Sequence, residues 1–143
     1  MHTERLDLVR ITPAHLPDLL ALDSDPEVMR YISGGKPSTP EDYERFIPRM
    51  TAFGDQPYGY LAAYEQQRFI GWFHLRPSVA DPEVLELGYR LERAAWGRGL
   101  ATEGGKALIR HTFETLDRTA VDDCADPRND ASIRVMVKCG MRW

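Results

Sequence analysis

A period-two segment, Val84-Leu85-Glu86-Leu87-Gly88-Tyr89-Arg90-Leu91, leads into Arg93-Ala94-Ala95-Trp96-Gly97-Arg98-Gly99-Leu100-Ala101-Thr102-Glu103-Gly104. Apolar residues then recur at Ala101, Leu108, Ile109, Phe113 and Leu116. The alternation predicts a strand, and the later spacing predicts a helix over 100–116. A strand that feeds a glycine loop and then a helix can fold in few ways. Gly97 and Gly99 let consecutive N–H groups turn toward one point. The first turn of the helix adds unpaired donors and the positive end of its dipole, and Arg98 adds a cation. The expected product is a seat for phosphate or pyrophosphate. A purely structural strand-to-helix turn is the competing reading. The spacing is neither G-x-x-x-x-G-K-[ST] nor G-x-G-x-x-G, because Thr102 stands where the third glycine would be.

The bulk numbers narrow the function classes. The chain has 143 residues, 43% of them hydrophobic and 28% charged, which suits one folded domain with a core. Net charge is −4, unlike the basic balance of a general nucleic-acid binder. A run of 18 apolar residues is absent, and the opening Met1-His2-Thr3-Glu4-Arg5 lacks the apolar core of a secretion signal. We therefore expect a cytoplasmic protein with no membrane partner. Cys124 and Cys139 read as reduced thiols, and His2, His15, His74 and His111 are too scattered for metal-ligand spacing.

Strands are expected over 6–11, 58–64, 69–75, 84–91 and 119–125, with the third apolar on both faces and so covered on both. Thr12-Pro13 and Thr39-Pro40 read as helix starts. Pro17 should distort the first helix, and Pro48 should kink or divide the second, which is expected to reach about residue 53. Asp25-Pro26-Glu27 repeats the start signal and suggests a short further helix. Asn129 should cap a last helix that Gly140 stops. Together these give one α/β domain. Its strands are antiparallel at first, and the fourth and fifth run parallel through a right-handed crossover.

The wider string is more specific. Glu86-Leu87-Gly88-Tyr89, Trp96-Gly97-Arg98-Gly99-Leu100-Ala101-Thr102-Glu103, Asn129-Asp130-Ala131-Ser132 and Lys138-Cys139-Gly140-Met141 together resemble the GNAT superfamily of N-acetyltransferases. The likeness is greatest to the branch containing ribosomal-protein N-terminal acetyltransferases. It implies a mixed central sheet with a splayed parallel pair, flanked by helices, and acetyl-CoA as co-substrate. It also implies a cofactor site at Trp96, Gly97, Arg98, Gly99, Leu100, Ala101 and Thr102, with the pyrophosphate on the loop. Backbone at Tyr89 and Leu91 would hold the pantetheine arm in the splay, aided by Asn129. Trp96 takes a position usually held by Gln or Arg, leaving Arg98 as the loop's cation.

Glu86 is the candidate general base toward an amine, directly or through a water. Its alternative role is a solvated strand residue or an ion pair with Arg90. His74 is a lesser candidate for the base. The resemblance makes the Ser132 hydroxyl a donor to the leaving thiolate, although capping and a surface serine also explain Asn129 and Ser132. Thr102 can reach a phosphate oxygen, whereas Glu103 is expected to serve the helix dipole. Gly88 suggests a bulge or a close approach. Trp72, His74, Tyr31 and Tyr60 are either core or lining of the acceptor pocket. The expected acceptor is an amine on a small molecule or peptide N-terminus, and the acidic balance leans toward a cationic one.

Relatives of this kind continue past the Gly-Met pair with two more strands, whereas these residues stop at Trp143. The expectation is an open sheet edge, with two readings: a partner chain covers it, as in a homodimer, or these residues are a truncated form. The alternative function is a non-catalytic acyl-CoA-binding or interaction module.

Overall fold

The structure is a computed structural model that describes residues 1–142. Five strands form one sheet in the order β1-β2-β3-β4-β5. They are β1 (Asp7–Arg10), β2 (Gly59–Glu65), β3 (Arg68–Pro77), β4 (Leu85–Leu91) and β5 (Val121–Asp123). The first four pair antiparallel, and β4 pairs parallel with β5. The helices are α1 (Leu16–Asp23), α2 (Pro40–Met50), α3 (Leu100–Glu114) and α4 (Asp130–Lys138). Among the described residues no helix is long and apolar enough to cross a membrane.

Local chemistry explains most boundaries. Thr12 starts a 3-10 turn rather than the α-helix itself: its N–H donates to His15 Nδ1 at 2.9 Å and its hydroxyl accepts from the Ala14 N–H at 3.3 Å. α1 then begins at Leu16, with Pro17 in its first turn, where no intrahelical donor is lost. Thr39 and Asp42 cap α2 reciprocally, at 2.9 and 3.1 Å. Pro48 lies inside α2, which ends at Met50, short of the expected reach. The Asp25-Pro26-Glu27 start signal yields only turns, closed by Met29 and Gly35 backbone bonds. Gln66 and Gln67 both adopt positive φ, so a two-residue turn joins β2 to β3. After α4, the Gly140 N–H reaches the Val137 carbonyl and the Met141 N–H reaches that of Met136. This glycine stop was expected.

The sheet is covered on both faces. One core joins Leu8, Ile70, Phe73, Leu75, Leu85, Leu87, Leu100 and Leu108, beneath α3. The other joins Ile11, Leu19, Leu22, Tyr43, Met50 and Trp72, beneath α1 and α2. The expected buried face of α3 needs correction. Phe113 is exposed, and the inward positions are Leu100, Gly104, Gly105, Leu108 and Thr112. Small residues bring the helix close: a Cβ on Gly104 would lie 2.3 Å from the Phe73 ring.

Candidate active site

The parallel pairing of β4 with β5 is brief. It runs Leu85↔Val121, Glu86↔Asp122 and Leu87↔Asp123, and stops there. From Gly88 to Leu91, β4 keeps only β3 beside it. The strands part, and a cleft of about 590 Å³ opens in the fork, within the usual size range of small-molecule sites. Tyr89, Arg90 and Leu91 form one wall, and Cys124 to Asp126 with Asn129 and Ser132 form the other. The start of α3 closes the end.

The loop sits as its glycines require. Gly97 and Gly99 have φ of 72° and 78°, left-handed values that disfavour side chains, and Gly99 is the N-cap of α3. Among the described residues, no N–H from Gly97 to Thr102 has a hydrogen-bond partner in the protein. These six donors lie in the loop and first turn at the N-terminus of α3, the positive end of its dipole, where helices seat anions. Leu100 contributes only its main chain, because its side chain is 1% exposed in the core. Ala101 and Thr102 line the cleft. Trp96 also lines it, and its Nε1–H donates to the Leu91 carbonyl at 2.9 Å, tying loop to strand.

The charge around the loop differs from expectation. Arg98 does not turn its guanidinium into the cleft: it makes a bidentate pair with Glu65 at 2.8 and 2.5 Å. Its carbonyl accepts from Arg5 Nη1 at 2.8 Å. Glu103 is held away from the seat by Arg5, at 2.7 Å, and by the Thr3 hydroxyl, at 2.6 Å. These bonds keep its carboxyl below the usual range against the opposing effect of burial. Arg30, Arg90 and Arg128 line the cleft but are paired with Glu27, Asp23 and Asp126, so its cations without a carboxylate partner among the described residues come from α4. Arg134 and Lys138 line it, four residues apart on one helix face, with no carboxylate partner among the described residues. Motif reading missed them, although their i,i+4 spacing past Asn129 was the available signal.

Asn129 caps α4, its Oδ1 accepting from the Ser132 N–H at 3.2 Å. The cap uses only the oxygen of the amide. Ser132 lies near Tyr89: burial raises the pKa of the Tyr89 hydroxyl, and the Ser132 hydroxyl opposes that rise. Asp123, at the point of the fork, is pushed up to about 6, chiefly by burial, with the Glu86 and Asp122 charges acting the same way.

Glu86, Gly88 and Arg90 occupy the opposite face of β4. Glu86 does not pair with Arg90. Its Oε1 accepts from His74 Nε2 at 3.1 Å and from Arg76 at 2.9 and 3.1 Å. The His74 bond, followed by Arg76, holds its carboxyl down at about 2 despite partial burial. Gly88 marks a close approach, not a bulge: a Cβ there would lie 2.4 Å from the His74 ring. Arg90 donates to Asp23 at 2.9 Å, and Asp23, fully buried, also accepts from Tyr43 and Ser38 at 2.5 and 2.6 Å. Tyr31 lines the main cleft, whereas Tyr60, Trp72 and His74 form a cluster under α1 and α2. Both cysteines are free, and no group of three metal-ligating side chains occurs among the described residues.

The family profile described as Acetyltransferase (GNAT) domain matches residues 5–142. The chain belongs to the GNAT acetyltransferase family. An Aspergillus fumigatus protein named FsC-acetyl coenzyme A-N(2)-transacetylase is 31% identical to it over 150 residues. That match covers 99% of this chain but only 64% of the relative's length. The solved structure of a GNAT-family acetyltransferase from Bacillus anthracis superposes with a TM-score of 0.84 at 23% identity, covering 99% of this chain and 82% of that one. The complex of AAC(6')-Ib with Parmomycin and AcetylCoA superposes at 0.79 with 19% identity, covering 95% and 82%. The two superpositions show that this chain has the fold of those structures.

Proposed function

We propose that this chain moves an acetyl group from acetyl-CoA to a primary amine by direct transfer. The observation that carries the reading is the run of unpartnered N–H groups from Gly97 to Thr102 at the end of the β4–β5 fork. The pyrophosphate is assigned to those groups, with Arg134 and Lys138 supplying positive charge from across the cleft. The unpaired edge of β4 at Tyr89 to Leu91 takes the pantetheine arm, and Asn129 assists with its free amide nitrogen. N–H groups on that edge also suit the developing oxyanion of the thioester carbonyl. Ser132, with Tyr89 beside it, donates to the leaving thiolate. Glu86 serves proton removal from the acceptor on the other face of β4. Holding both reactants in register supplies most of the acceleration.

Acceptors in scope are a protein N-terminus, an amino acid or a small amine, including those of the ribosomal-protein N-terminal acetyltransferase branch. The names of the relatives support an amine acceptor: one is an N(2)-transacetylase, and another is an aminoglycoside acetyltransferase. The test is calorimetric titration with CoA, followed by thiol release from acetyl-CoA over a panel of amines and peptides. Binding and amine-dependent release are expected. Absence of CoA binding rejects the reading.

A further inference from the structure

The general base assigned from sequence is a carboxylate whose geometry suits another task. Glu86 is ionised and accepts three hydrogen bonds on one oxygen, two from Arg76 and one from the His74 ring. An acid held near 2 takes a proton poorly from an ammonium of about 7.7–8.0, since efficient proton transfer needs matched pKa values. A carboxylate is also acceptor-only, so the 3.1 Å contact fixes His74 with its proton on Nε2. In the neutral ring the lone pair is then on Nδ1. That atom is buried and has no partner in the protein.

Nδ1 is not alone. Trp72 Nε1 and Arg90 Nε are also buried without partners. Trp72 pairs with Arg90 across the sheet, and His74 pairs with Gly88, one step along the same face. The Trp72 and His74 rings stack at 5.7 Å, and the Arg90 guanidinium lies 5.1 Å over the Trp72 ring. Two donors and one acceptor thus gather on one sheet face. Of these residues Arg90 also lines the cleft, whereas Trp72 and His74 lie behind it on the same sheet face. Buried polar atoms without partners are few in folded proteins, and of these three only His74 Nδ1 can accept a proton.

We propose that His74 takes the proton from the acceptor ammonium through Nδ1, with Glu86 as the positioning residue that fixes its tautomer. The inference rests on the acetyl-transfer reading and deepens it. An ammonium N–H bond breaks and the Nδ1–H bond forms. The freed lone pair attacks the thioester carbonyl. The carbon–sulfur bond then breaks, the Ser132 hydroxyl gives its proton to the thiolate and takes the second amine proton in exchange, and the imidazolium returns its proton to water. Gly88 is the residue that makes room for this ring.

The groups facing His74 set its titration. Arg76 on its own strand and Arg90 on β4 oppose its charge, Glu86 favours it, and Tyr60 packs at 4.9 Å from β2. Asp23, at the end of α1, reaches the cluster through Arg90. Burial is the largest influence and lowers the imidazole pKa, so the ring is neutral and ready to accept at neutral pH.

Two measurements test the proposal. Nitrogen-15 NMR of histidine-labelled wild type should find the His74 ring protonated on Nε2 and bare on Nδ1 at neutral pH. A proton on Nδ1 overturns the proposal whether or not the chain proves to be an acetyltransferase. Kinetics then use whichever of an amino acid ester, a peptide amide and putrescine the wild type acetylates. If it acetylates none, the acetyl-transfer reading fails and the NMR result alone judges the tautomer. His74→Gln should lower kcat/KM by about 100-fold or more and erase the acidic limb of the pH profile, with CoA affinity unchanged. Glu86→Gln should keep that limb but move it about one unit lower, because the charge that favours the imidazolium is gone. If His74→Gln keeps the limb and most of the rate while Glu86→Gln abolishes activity, Glu86 itself is the base and the proposal fails.

Discussion

Gly99 is the residue on which the cofactor seat turns. Its φ of 78° lies where an L side chain is strained, while a Cβ would meet only Arg5 Nη2 at 3.5 Å, an ordinary contact. The cost of a side chain is therefore conformational, on the order of 1–2 kcal/mol. Gly99→Val should lower the unfolding temperature by a few degrees yet weaken CoA binding by at least about tenfold, read by calorimetry. Unchanged affinity would remove the loop from the site. Asp123 offers a pH test. Its folded pKa, about 6, exceeds the unfolded value of 3.8, so the fold prefers the protonated acid. Stability from this group is complete below the unfolded pKa and is lost as pH rises through the folded one. Asp123→Asn should raise the unfolding temperature by roughly 2–5 °C above about pH 7 and leave it unchanged below about pH 4.

The helix that carries the seat is held by what it lacks. A Cβ on Gly104 would lie 2.3, 2.6 and 2.9 Å from three carbons of the buried Phe73 ring. Gly→Ala gains about 1 kcal/mol of helix propensity, but overpacking costs roughly 1–3 kcal/mol. Gly104→Ala should therefore destabilise the protein in denaturant titration, and Phe73→Leu in that background should recover part of the loss. This contact also marks the limit of sequence reading for α3. The strand, loop and helix were legible, because alternation and a Gly-x-Gly pair are local signals. The inward stripe was legible in part: Leu108 is in the core with Ala101, Ile109 and Leu116 packed against it, but Gly104, Gly105 and Thr112 carry no hydrophobic signal, while Phe113 does and is exposed. Glu86 and Arg98 were legible as charged residues near the fork. Their partners, His74, Arg76 and Glu65, lie 10 to 33 residues away, a pairing that only the sheet register creates. The Asp25-Pro26-Glu27 signal yielded turns: Val28 and Met29 are buried, but Ile32 is exposed, so the apolar face does not continue beyond one turn.

Across the whole molecule, net charge misleads about the site. The chain is acidic, at −4, yet Arg30, Arg90, Arg128, Arg134 and Lys138 line one cleft against Glu27, Asp126 and Asp130. Local fields, not the sum, govern ligand approach. Arg98 belongs to the surface instead, paired with Glu65 where solvent screens the two charges. Arg98→Ala should therefore change CoA affinity by less than about threefold. The double variant Arg134→Ala/Lys138→Ala should weaken it about tenfold at low salt, with the gap narrowing as added salt screens the charges. Equal effects from the two variants would contradict the assignment of cations to α4.

The brace on the outer side of the cofactor loop joins residues far apart in the chain. Arg5 meets Glu103 from 98 positions away and the Arg98 carbonyl from 93. Contacts of that span bear the full entropy of ring closure and form slowly. The four antiparallel strands can assemble on a ribosome before this brace exists. The loop gains its outer brace only once the chain through Glu103 has been made, by which point β1 to β4, ending at Leu91, are already available to pair.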